Sequence, residues 1–286
     1  MNSKTESQLG SKSISISDNE FNLFRSFIYD NFGINLTEVK RALLVNRLQK
    51  ILRQGNFKSF EEYYNSIKKD QTGASVSELI NAVSTNHTFF FRESIHFDYL
   101  VNKALPEIVN ELRTKNNKDL RIWCAAASSG EEPYVLAMLI KDYLGSEYNQ
   151  WSAGVLATDI SVEALNIAVQ GVYTAERIQQ VPAKYKTGYF EKIDSDSYQI
   201  KESLKKELVF RRFNLMNEKL PFKKPFHVIF CRNVMIYFDQ KTRDSLVNRL
   251  FDYTYPGGYL FIGNAETLGR TNCPYKYIAP SIYQKI

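Results

Sequence analysis

The first third of the chain has apolar residues spaced three to four positions apart, a pattern typical of helices with one buried face. Residues 17–20 have the spacing of a capping box, and Gly33 is expected to end the helix that follows. A second helix is predicted over residues 38–54, with Thr37 as its N-cap and Gly55 as its stop. Two shorter predicted helices complete this region, at residues 60–68 and 76–83.

From residue 95 onward, short apolar runs alternate with helical patterns. This order is typical of an α/β fold, in which helices cover both faces of a parallel sheet. The polar, partly alternating stretch at residues 173–213 is interpreted as a small antiparallel insertion. The predicted helices span residues 95–112, 134–144, 162–169 and 241–253, and the predicted strands span residues 120–124, 155–159, 226–231, 259–263 and 275–284.

The length of 286 residues suits two domains. We expect a flexible N-terminus at residues 1–17, a helical domain at 18–85 and an α/β domain at 86–286. Apolar runs such as residues 228–230 are far shorter than a membrane span, and the polar N-terminus does not have the apolar core of a signal peptide. A cytoplasmic location is therefore expected.

Composition narrows the candidate chemistry. The three cysteines, Cys124, Cys231 and Cys273, are far apart, and the three histidines form no metalloprotease motif, so neither a disulfide framework nor a metal site is expected. Cys124 and Cys231 lie in apolar runs and are expected to be buried thiols. The net charge of +6 is compatible with nucleic acid, a membrane surface or an acidic protein as a partner.

Residues 125–134, Ala-Ala-Ala-Ser-Ser-Gly-Glu-Glu-Pro-Tyr, follow a predicted strand and open a predicted helix. Small residues let a ligand approach the backbone closely, and Gly130 frees the turn. Glu131 and Glu132 would repel a phosphate and suit a ligand with a cationic amine, a sulfonium or hydroxyl groups. The alternative is that both are ordinary first-turn acids, which the helix dipole favours.

Two further segments carry polar residues at positions suited to a ligand. Asp159 ends a predicted strand, where a carboxylate can accept both ribose hydroxyls of a nucleoside, but it also fits a helix N-cap. Residues 86–93 combine three consecutive aromatics with Arg92. That composition suits either a lid over a ligand or a plug between domains.

The segment 226–239 is an apolar strand that ends in Arg232 and Asn233 and continues to Tyr237. In an open α/β sheet, ligands bind beyond the carboxyl ends of the strands, which is where Asn233 and Tyr237 are expected to lie. Three neighbouring apolar residues are expected to pack in the core: Met235, Ile236 and Phe238.

Together these segments resemble the chemotaxis receptor methyltransferases, the CheR family. The family patterns T-N-x-T-x-F-F-R-E, W-x-A-A-x-S-T-G-E-E-P-Y, A-T/S-D-I and F-C-R-N-V-M-I-Y-F-D correspond to residues 85–93, 123–134, 157–160 and 230–239. The resemblance covers nearly the whole chain. It implies a Rossmann-like class I methyltransferase domain with a small antiparallel β-subdomain, preceded by an all-α domain. It also implies methyl transfer from S-adenosyl-L-methionine to glutamate side chains on the helical cytoplasmic domain of chemotaxis receptors, with S-adenosyl-L-homocysteine as product.

The chain departs from the family pattern in three places. The resemblance also implies a set of cofactor contacts, which are given after these departures. Ser129 stands where threonine is usual, which keeps the hydroxyl, and residues 263–266 are Gly-Asn-Ala-Glu where Gly-His-Ser-Glu is common. The loop at residues 191–198 is short and has no glycine, so no strong tether to a receptor pentapeptide is expected. The implied cofactor contacts are Asn86, Thr88, Arg92, Glu132, Asp159, Asn214, Leu215, Asn233 and Val234.

A glutamate side chain is already an anion at neutral pH, so its methylation needs alignment and exclusion of water rather than a general base. We expect Arg92 to steer the substrate carboxylate and Tyr237 to orient it through its hydroxyl group. The basic face of the second predicted helix suits docking of an acidic receptor helix, with a merely solvated face as the alternative. This face consists of Lys40, Arg47, Lys50 and Arg53.

Two other functions stay open at this point. A nucleic-acid methyltransferase is compatible with the basic charge, although the sequence contains no recognisable nucleic-acid-binding or base-methylation motif. A sensor that binds S-adenosylmethionine or S-adenosylhomocysteine without turnover is also compatible with the cofactor motifs. The presence of Arg92 and Tyr237 argues against a sensor.

Overall fold

The computed structural model describes residues 13–269 and 273–286. Most of the N-terminus that is expected to be flexible lies outside the described residues. Within the described part, the Ile14 backbone donates to and accepts from the Gln49 side chain at 3.2 and 2.6 Å. The chain divides into two compact units, a helical unit of Met1–Asp30 and Leu36–Val83, and a sheet unit of Asn31–Asn35 and Ser84–Ile286.

The predicted capping box is present at the start of the first helix. The Ser17 N–H donates to the Glu20 carboxylate at 2.8 Å, and the Glu20 N–H donates to the Ser17 hydroxyl at 3.3 Å. The aromatic core of this unit includes Phe24 and Tyr63, whose rings stack with centroids 5.9 Å apart. The helices are α1 (Asp18–Phe32), α2 (Arg41–Gln54), α3 (Phe60–Lys69) and α4 (Ala74–Val83).

The prediction of one regular helix over residues 38–54 is wrong at its start. Glu38–Lys40 is a 3₁₀ turn, the α-helix begins at Arg41, and Thr37 makes no capping hydrogen bond with its side chain. Arg41 pairs with Asp18 at 2.6 Å and with Glu38 at 3.0 Å. These two ion pairs hold the tighter turn in place of a side-chain cap.

The sheet unit is built on a seven-stranded sheet with β1 (Ile122–Cys124), β2 (Val155–Asp159), β6 (Leu208–Arg212), β7 (Phe226–Phe230), β8 (Thr254–Phe261), β9 (Lys276–Ala279) and β10 (Ile282–Gln284). Its strand order is β6-β2-β1-β7-β8-β10-β9. Neighbours from β6 to β8 are parallel, whereas β10 runs antiparallel to β8 and β9 antiparallel to β10. The helices of this unit are α5 (Ile95–Tyr99), α6 (Leu105–Thr114), α7 (Glu131–Leu144), α8 (Val162–Gln170), α9 (Ala183–Tyr189), α10 (Glu202–Lys205) and α11 (Gln240–Asp252).

A second, small sheet lies within the predicted insertion. Its strands are β3 (Val172–Thr174), β4 (Phe190–Lys192) and β5 (Ser197–Ile200), and β5 pairs antiparallel with both others. The prediction that the insertion extends to residue 213 is wrong, because β6 pairs parallel with β2 in the large sheet. As an edge strand, β6 has an exposed side, so its alternating polarity resembles that of an antiparallel strand.

Two other predicted elements are interrupted in the structure. The predicted helix at 95–112 contains a π-helical turn, Leu100–Ala104, between α5 and α6. Pro106 has no backbone N–H to donate to the preceding turn, and a wider turn accommodates it. The predicted strand at 275–284 is a hairpin of β9 and β10, with Ser281 in the left-handed region at φ 61°.

The apolar core lies on both faces of the large sheet. Ile122 and Cys124 of β1 belong to the cluster on one face, and Trp123 belongs to the cluster on the other. The Trp123 indole N–H donates to the Thr158 hydroxyl at 2.9 Å, which satisfies both buried polar groups. Cys124 and Cys231 are buried free thiols, as predicted. Across the described residues, no helix is long and apolar enough to cross a membrane.

Candidate active site

The segments singled out in the sequence follow the carboxyl ends of neighbouring parallel strands. Residues 125–130 follow β1, Asp159 ends β2, and Arg232 and Asn233 follow β7. The strand order reverses between β1 and β7, since the chain moves from β1 outward to β2 and β6 before it returns to β7. In open α/β sheets, ligands bind in the crevice at such a reversal.

The turn at residues 125–130, called the β1 turn below, has a backbone that few residues tolerate. Ser128 and Gly130 both have positive φ, at 47° and 97°. A Cβ atom on Gly130 would lie 2.7 Å from the Cβ of Ala168 and 2.9 Å from the hydroxyl of Tyr173. The turn therefore needs glycine here both for its conformation and for space.

Asp159 holds the β1 turn from the neighbouring strand. Its carboxylate accepts hydrogen bonds from the backbone N–H groups of Ser128 at 2.7 Å and Ser161 at 2.9 Å. Burial raises the pKa of Asp159, although these hydrogen bonds lower it. The residue that caps α8 is Ser161, whose hydroxyl accepts from Ala164, so Asp159 is not the N-cap.

Glu131 and Glu132 begin α7 and have different partners. Glu131 is fully buried, accepts a hydrogen bond from the Ser129 hydroxyl at 2.8 Å and forms an ion pair with Arg177. Glu132 accepts hydrogen bonds from Arg232 at 2.6 Å and from the Cys124 thiol at 3.2 Å. Burial raises the pKa of both carboxyls. Neither residue is an ordinary solvated first-turn acid.

Arg232 is the centre of a buried cluster that joins three segments. Its side chain is 1% exposed, pairs with Glu132 and also with Glu93 at 2.9 Å, and donates to the Arg92 carbonyl at 2.7 Å. Glu93 also accepts from the Asn233 amide at 3.1 Å. Burial raises the pKa of Glu93, but the ion pair and hydrogen bonds outweigh burial, and its pKa is lower than usual.

Glu266 organises the loop that follows β7. Its carboxylate accepts from the backbone N–H groups of Asn233 at 3.0 Å, Ile236 at 3.2 Å and Gly263 at 2.5 Å. Asn233 has a positive φ of 57°. The glutamate of the family's Gly-His-Ser-Glu pattern thus has a structural task in this chain, holding Asn233 in a conformation that is uncommon for residues other than glycine.

The segment 86–93 lies along the β1 turn. The Asn86 carbonyl accepts from the Ser128 hydroxyl at 3.1 Å, and the Arg92 guanidinium donates to the His87 carbonyl at 2.9 Å. Phe90 is buried with its ring 5.0 Å from that of Tyr173. Phe90 thus packs against the small sheet within the sheet unit.

The remaining predicted site residues are placed as follows. The Asn214 amide donates to the Asn31 carbonyl at 2.7 Å, and its oxygen accepts from Met216 at 3.0 Å. Met235 and Phe238 are buried as predicted, but Ile236 is 44% exposed, so its predicted core role is wrong. Ile236 lies in the middle of a 3₁₀ turn, between the buried Met235 and the half-buried Tyr237. Leu215 is buried, and Thr88, Val234 and Tyr237 are half-buried.

Two groups of hydrogen bonds connect predicted site residues: Asn86 and Asp159 both bond to Ser128, and Arg92, Glu132 and Asn233 are linked through Arg232 and Glu93. The structure also places beside them residues that sequence reasoning did not assign to the site. Arg177 was missed because its partner Glu131 is 46 residues away. Cys124 was expected only to be a buried thiol, although its partner Glu132 lies in the same motif. Arg232 and Glu93 also lay inside recognised motifs, and the signal for Arg232 was a charged residue directly after an apolar run.

The four residues of the predicted basic face, on α2 and the 3₁₀ turn before it, differ in exposure. Lys50 and Arg53 are exposed, whereas Lys40 and Arg47 are half-buried. The Arg47 guanidinium donates to the Val83 carbonyl at 2.6 Å, so part of its charge serves the fold of the helical unit. The exposed cationic surface is therefore concentrated near the end of α2.

These features fit a ligand that carries cations and a ribose. Glu132 and Asp159 place two carboxylates after neighbouring strands, and the β1 turn between them leaves no room for a Cβ at Gly130. Carboxylates complement an ammonium, a sulfonium and a ribose diol, all of which S-adenosylmethionine presents. Among the described residues, no group of three or more His, Cys, Asp or Glu side chains is arranged to hold a metal.

Comparisons with known proteins agree with this chemistry. Residues 86–283 match the family model described as "CheR methyltransferase, SAM binding domain", and residues 19–84 match "CheR methyltransferase, all-alpha domain". The chain is 45% identical over 272 residues to the chemotaxis protein methyltransferase of Borreliella burgdorferi, which covers 95% of this chain and 96% of that protein. It is 32% identical over 273 residues to the chemotaxis protein methyltransferase of Escherichia coli K12, covering 94% and 92%. The predicted fold class is confirmed, and the chain belongs to the CheR family of S-adenosylmethionine-dependent methyltransferases.

Proposed function

We propose that this enzyme esterifies glutamate side chains on the cytoplasmic helical domain of chemotaxis receptors. The observation that carries the proposal is the pair of carboxylates, Glu132 and Asp159, held after adjacent strands in a chain of this family. Its relatives are named chemotaxis protein methyltransferases, which favours turnover over a sensor that only binds the cofactor. A cytoplasmic location is part of the same proposal.

Several residues of this chain are proposed to hold the cofactor. Asp159 is suited to the ribose hydroxyls and Glu132 to the cationic amine, because each carboxylate is already oriented by buried donors. When bound, S-adenosylmethionine supplies an electrophilic methyl group on its sulfonium. The other proposed contacts are Asn86, Thr88, Arg92, Asn214, Leu215, Asn233 and Val234.

The protonation states of the site suit a reaction without a general base. The lowered pKa of Glu93 keeps it ionised against Arg232, and the Asp159 carboxylate is occupied by two backbone N–H groups. The substrate glutamate is itself an anion, since the pKa of a glutamate side chain in water is about 4.3. What the protein contributes is alignment of the reacting atoms and a dry environment in which dispersing charge is favoured.

Arg92 and Tyr237 are the proposed catalytic residues. Arg92 donates to the His87 carbonyl and lies 3.9 Å from the Glu93 carboxylate, but its side chain is 27% exposed and has five N–H donors, so donors remain for an incoming carboxylate. Too tight an ion pair would reduce the nucleophilicity of that carboxylate, so steering is the role we assign to Arg92. Tyr237, half-buried after β7, is assigned the orientation of the attacking oxygen.

The receptor is proposed to dock on α2 and the 3₁₀ turn before it, through Lys40, Arg47, Lys50 and Arg53. Two apolar side chains on the same part of the surface support a helical partner, since Val39 is 91% exposed and Leu43 is 44% exposed. An acidic amphipathic helix would complement both the charge and the apolar positions.

A strong pentapeptide tether is not part of the proposal. The turn between β4 and β5 is short and tightened by Asp194, whose carboxylate accepts from the N–H groups of Asp196 and Ser197 at 2.9 and 2.7 Å.

The decisive experiment is transfer of radiolabelled methyl groups from S-adenosylmethionine to receptor-enriched membranes, followed by mild base. Label in a receptor-sized band that is released as methanol would establish a carboxyl methyl ester. Label that survives base would point to an amine or nucleic-acid acceptor and contradict the proposal. Cofactor binding without any transfer would favour the sensor.

The catalytic assignment has its own test. We expect Arg92→Ala and Tyr237→Phe to lower kcat strongly, whereas Tyr277→Phe, a control on the 59% exposed tyrosine of β9, should not. Normal turnover in both site variants would remove Arg92 and Tyr237 from the mechanism.

A further inference from the structure

The insertion that carries the small sheet contacts the β1 turn through two side chains. Tyr173, in β3, donates its hydroxyl to the Ser129 carbonyl at 2.7 Å. Arg177, three residues after β3, donates to the Ser129 hydroxyl at 2.6 Å and forms the ion pair with Glu131. Ser129 is thus held through both its backbone and its side chain by one short segment of the insertion.

The ion pair between Arg177 and Glu131 is buried at its glutamate end, next to the β1 turn. Glu131 is fully buried, whereas the Arg177 side chain is 34% exposed, so the cation reaches in from the surface. Burial raises the pKa of Glu131, and the nearby Arg177 cation opposes that rise.

The turn that these contacts hold is strained. Ser128 is a residue other than glycine with a φ of 47°, and Gly130 has a φ of 97°. Strained backbone persists only where the surrounding structure over-determines it. The bonds from Tyr173 and Arg177 to the intervening Ser129 add to those that Ser128 makes with Asp159 and Asn86.

The conformation of the turn sets the position of the cofactor carboxylates. The Ser128 N–H donates to Asp159, so a turn that relaxes would release one of the two hydrogen bonds that orient this carboxylate. Glu132 follows Glu131 directly at the start of α7 and faces Arg232. The two neighbouring glutamates thus pair with different cations, Glu131 with Arg177 and Glu132 with Arg232.

We propose that Arg177 is a positioning residue for the cofactor, acting through Ser129 and Glu131 rather than by contact with the cofactor. This inference rests on the proposed assignment of Asp159 and Glu132 to cofactor binding. It gives the insertion a task within the active site, separate from any contact with a receptor.

The test is the Kd of S-adenosylhomocysteine, measured by isothermal titration calorimetry on the full chain. We expect Arg177→Met to raise the Kd about tenfold, which corresponds to one charge-assisted hydrogen bond. Arg177→Lys keeps the charge but not the two-partner geometry, and should raise the Kd by roughly threefold. The double variant Arg177→Met with Glu131→Gln removes the unpaired buried carboxylate and should regain thermal stability while its Kd stays high.

A matched control separates positioning from general stability. Lys141→Met breaks the 3.0 Å ion pair with Glu207 at the far end of α7, where the two side chains are 19% and 17% exposed. It should lower the melting temperature with an unchanged Kd. A wild-type Kd in Arg177→Met, or a wild-type Kd restored by adding Glu131→Gln, would overturn the inference. If Arg177→Met does not fold, Arg177→Lys and the double variant carry the same test.

Asp159→Asn distinguishes this inference from the proposed function. If Asp159→Asn loses affinity while the Arg177 variants do not, only the positioning role fails. If Asp159→Asn binds like wild type, the assignment of the cofactor carboxylate fails, and the positioning role fails with it.

Discussion

Substitution of Arg232 by methionine removes the cation that three segments share. The side chain is 1% exposed and pairs with Glu132 at 2.6 Å and Glu93 at 2.9 Å, whose own side chains are 13% and 15% exposed. Methionine fills a comparable volume, so the change is mainly one of charge. Glu132 would then lose its ion pair, Glu93 would keep the longer pair with Arg92 at 3.9 Å, and the Arg92 carbonyl would lose its donor.

The expected cost follows from these contacts. Removal of one partner from a buried ion pair costs about 3–5 kcal/mol, and an unsatisfied buried carbonyl adds roughly 1 kcal/mol or more. That is a large share of the roughly 5–15 kcal/mol typical of a folded domain. Arg232→Met is therefore expected to fold only marginally at 25 °C.

Arg232→Met should also make the free energy of unfolding depend on pH. In the wild type, the pKa of Glu93 is lowered, so its contribution to stability is fully present above the unfolded pKa and constant from pH 5.5 to 8. Without Arg232, burial would raise the pKa of Glu93 above its unfolded value, and that of Glu132 further. An acid whose pKa is raised in the folded state destabilises the fold as the pH rises and it ionises. The loss of unfolding free energy in the variant should therefore be smaller at pH 5.5 than at pH 8.

Urea unfolding followed by tryptophan fluorescence measures this loss selectively. The only tryptophans, Trp123 and Trp151, both lie in the sheet unit. The control is Arg121→Met, which breaks a pair with Asp119 whose side chains are 30% and 28% exposed and should cost less than about 1 kcal/mol. Equal shifts of the midpoint in the two variants, or a deficit independent of pH, would refute the reasoning.

Other predictions follow from single contacts. Gly130→Ala should weaken S-adenosylhomocysteine binding by at least about tenfold, because the strain of a left-handed alanine adds to the clash with Ala168, whereas Gly188→Ala, with open space around it, should bind normally in calorimetry. Glu132→Gln should raise the cofactor KM about tenfold, whereas Glu163→Gln, an exposed first-turn acid of α8, should not; equal KM values would contradict the assigned role. Lys50→Glu should raise the receptor KM severalfold and reduce its salt dependence, measured against Lys69→Glu on α3. A receptor KM unaffected by Lys50→Glu would argue for a merely solvated face.

Local patterns predicted where several segments of the proposed site lie, because the motifs occur where strands end. The ends of β2 and β7 follow directly from apolar runs, and their carboxyl ends meet at one edge once the strands are parallel. The pairing of β6 with β2 was missed because strand partners are chosen by non-local packing. Alternating polarity at residues 208–212 cannot distinguish an edge strand of a large sheet from a strand of a small one.

The supporting ion pairs were missed for a related reason. Arg177 and Glu131 are 46 residues apart, and Arg232 and Glu93 are 139 residues apart. A single sequence contains no information about such pairs beyond the presence of the charges. Glu131 shows the consequence. Its position in the first turn of a helix was compatible with a ligand contact or with a simple interaction with the dipole, and the structure instead buries it against a cation from the insertion.

The distribution of charge is compatible with two ligands of opposite sign, the cofactor and the proposed receptor helix. The chain as a whole carries +6, yet the proposed cofactor site is acidic on balance, because Arg92 and Arg232 face Glu93 and Glu132 while Asp159 is held by backbone N–H groups. Burial shields this acidic site from the surface, where Lys50 and Arg53 are exposed. A cationic cofactor and an acidic receptor helix can then be attracted to different places without competing. Neutralising Glu132 should accordingly change cofactor affinity alone, and reversing Lys50 should change receptor affinity alone.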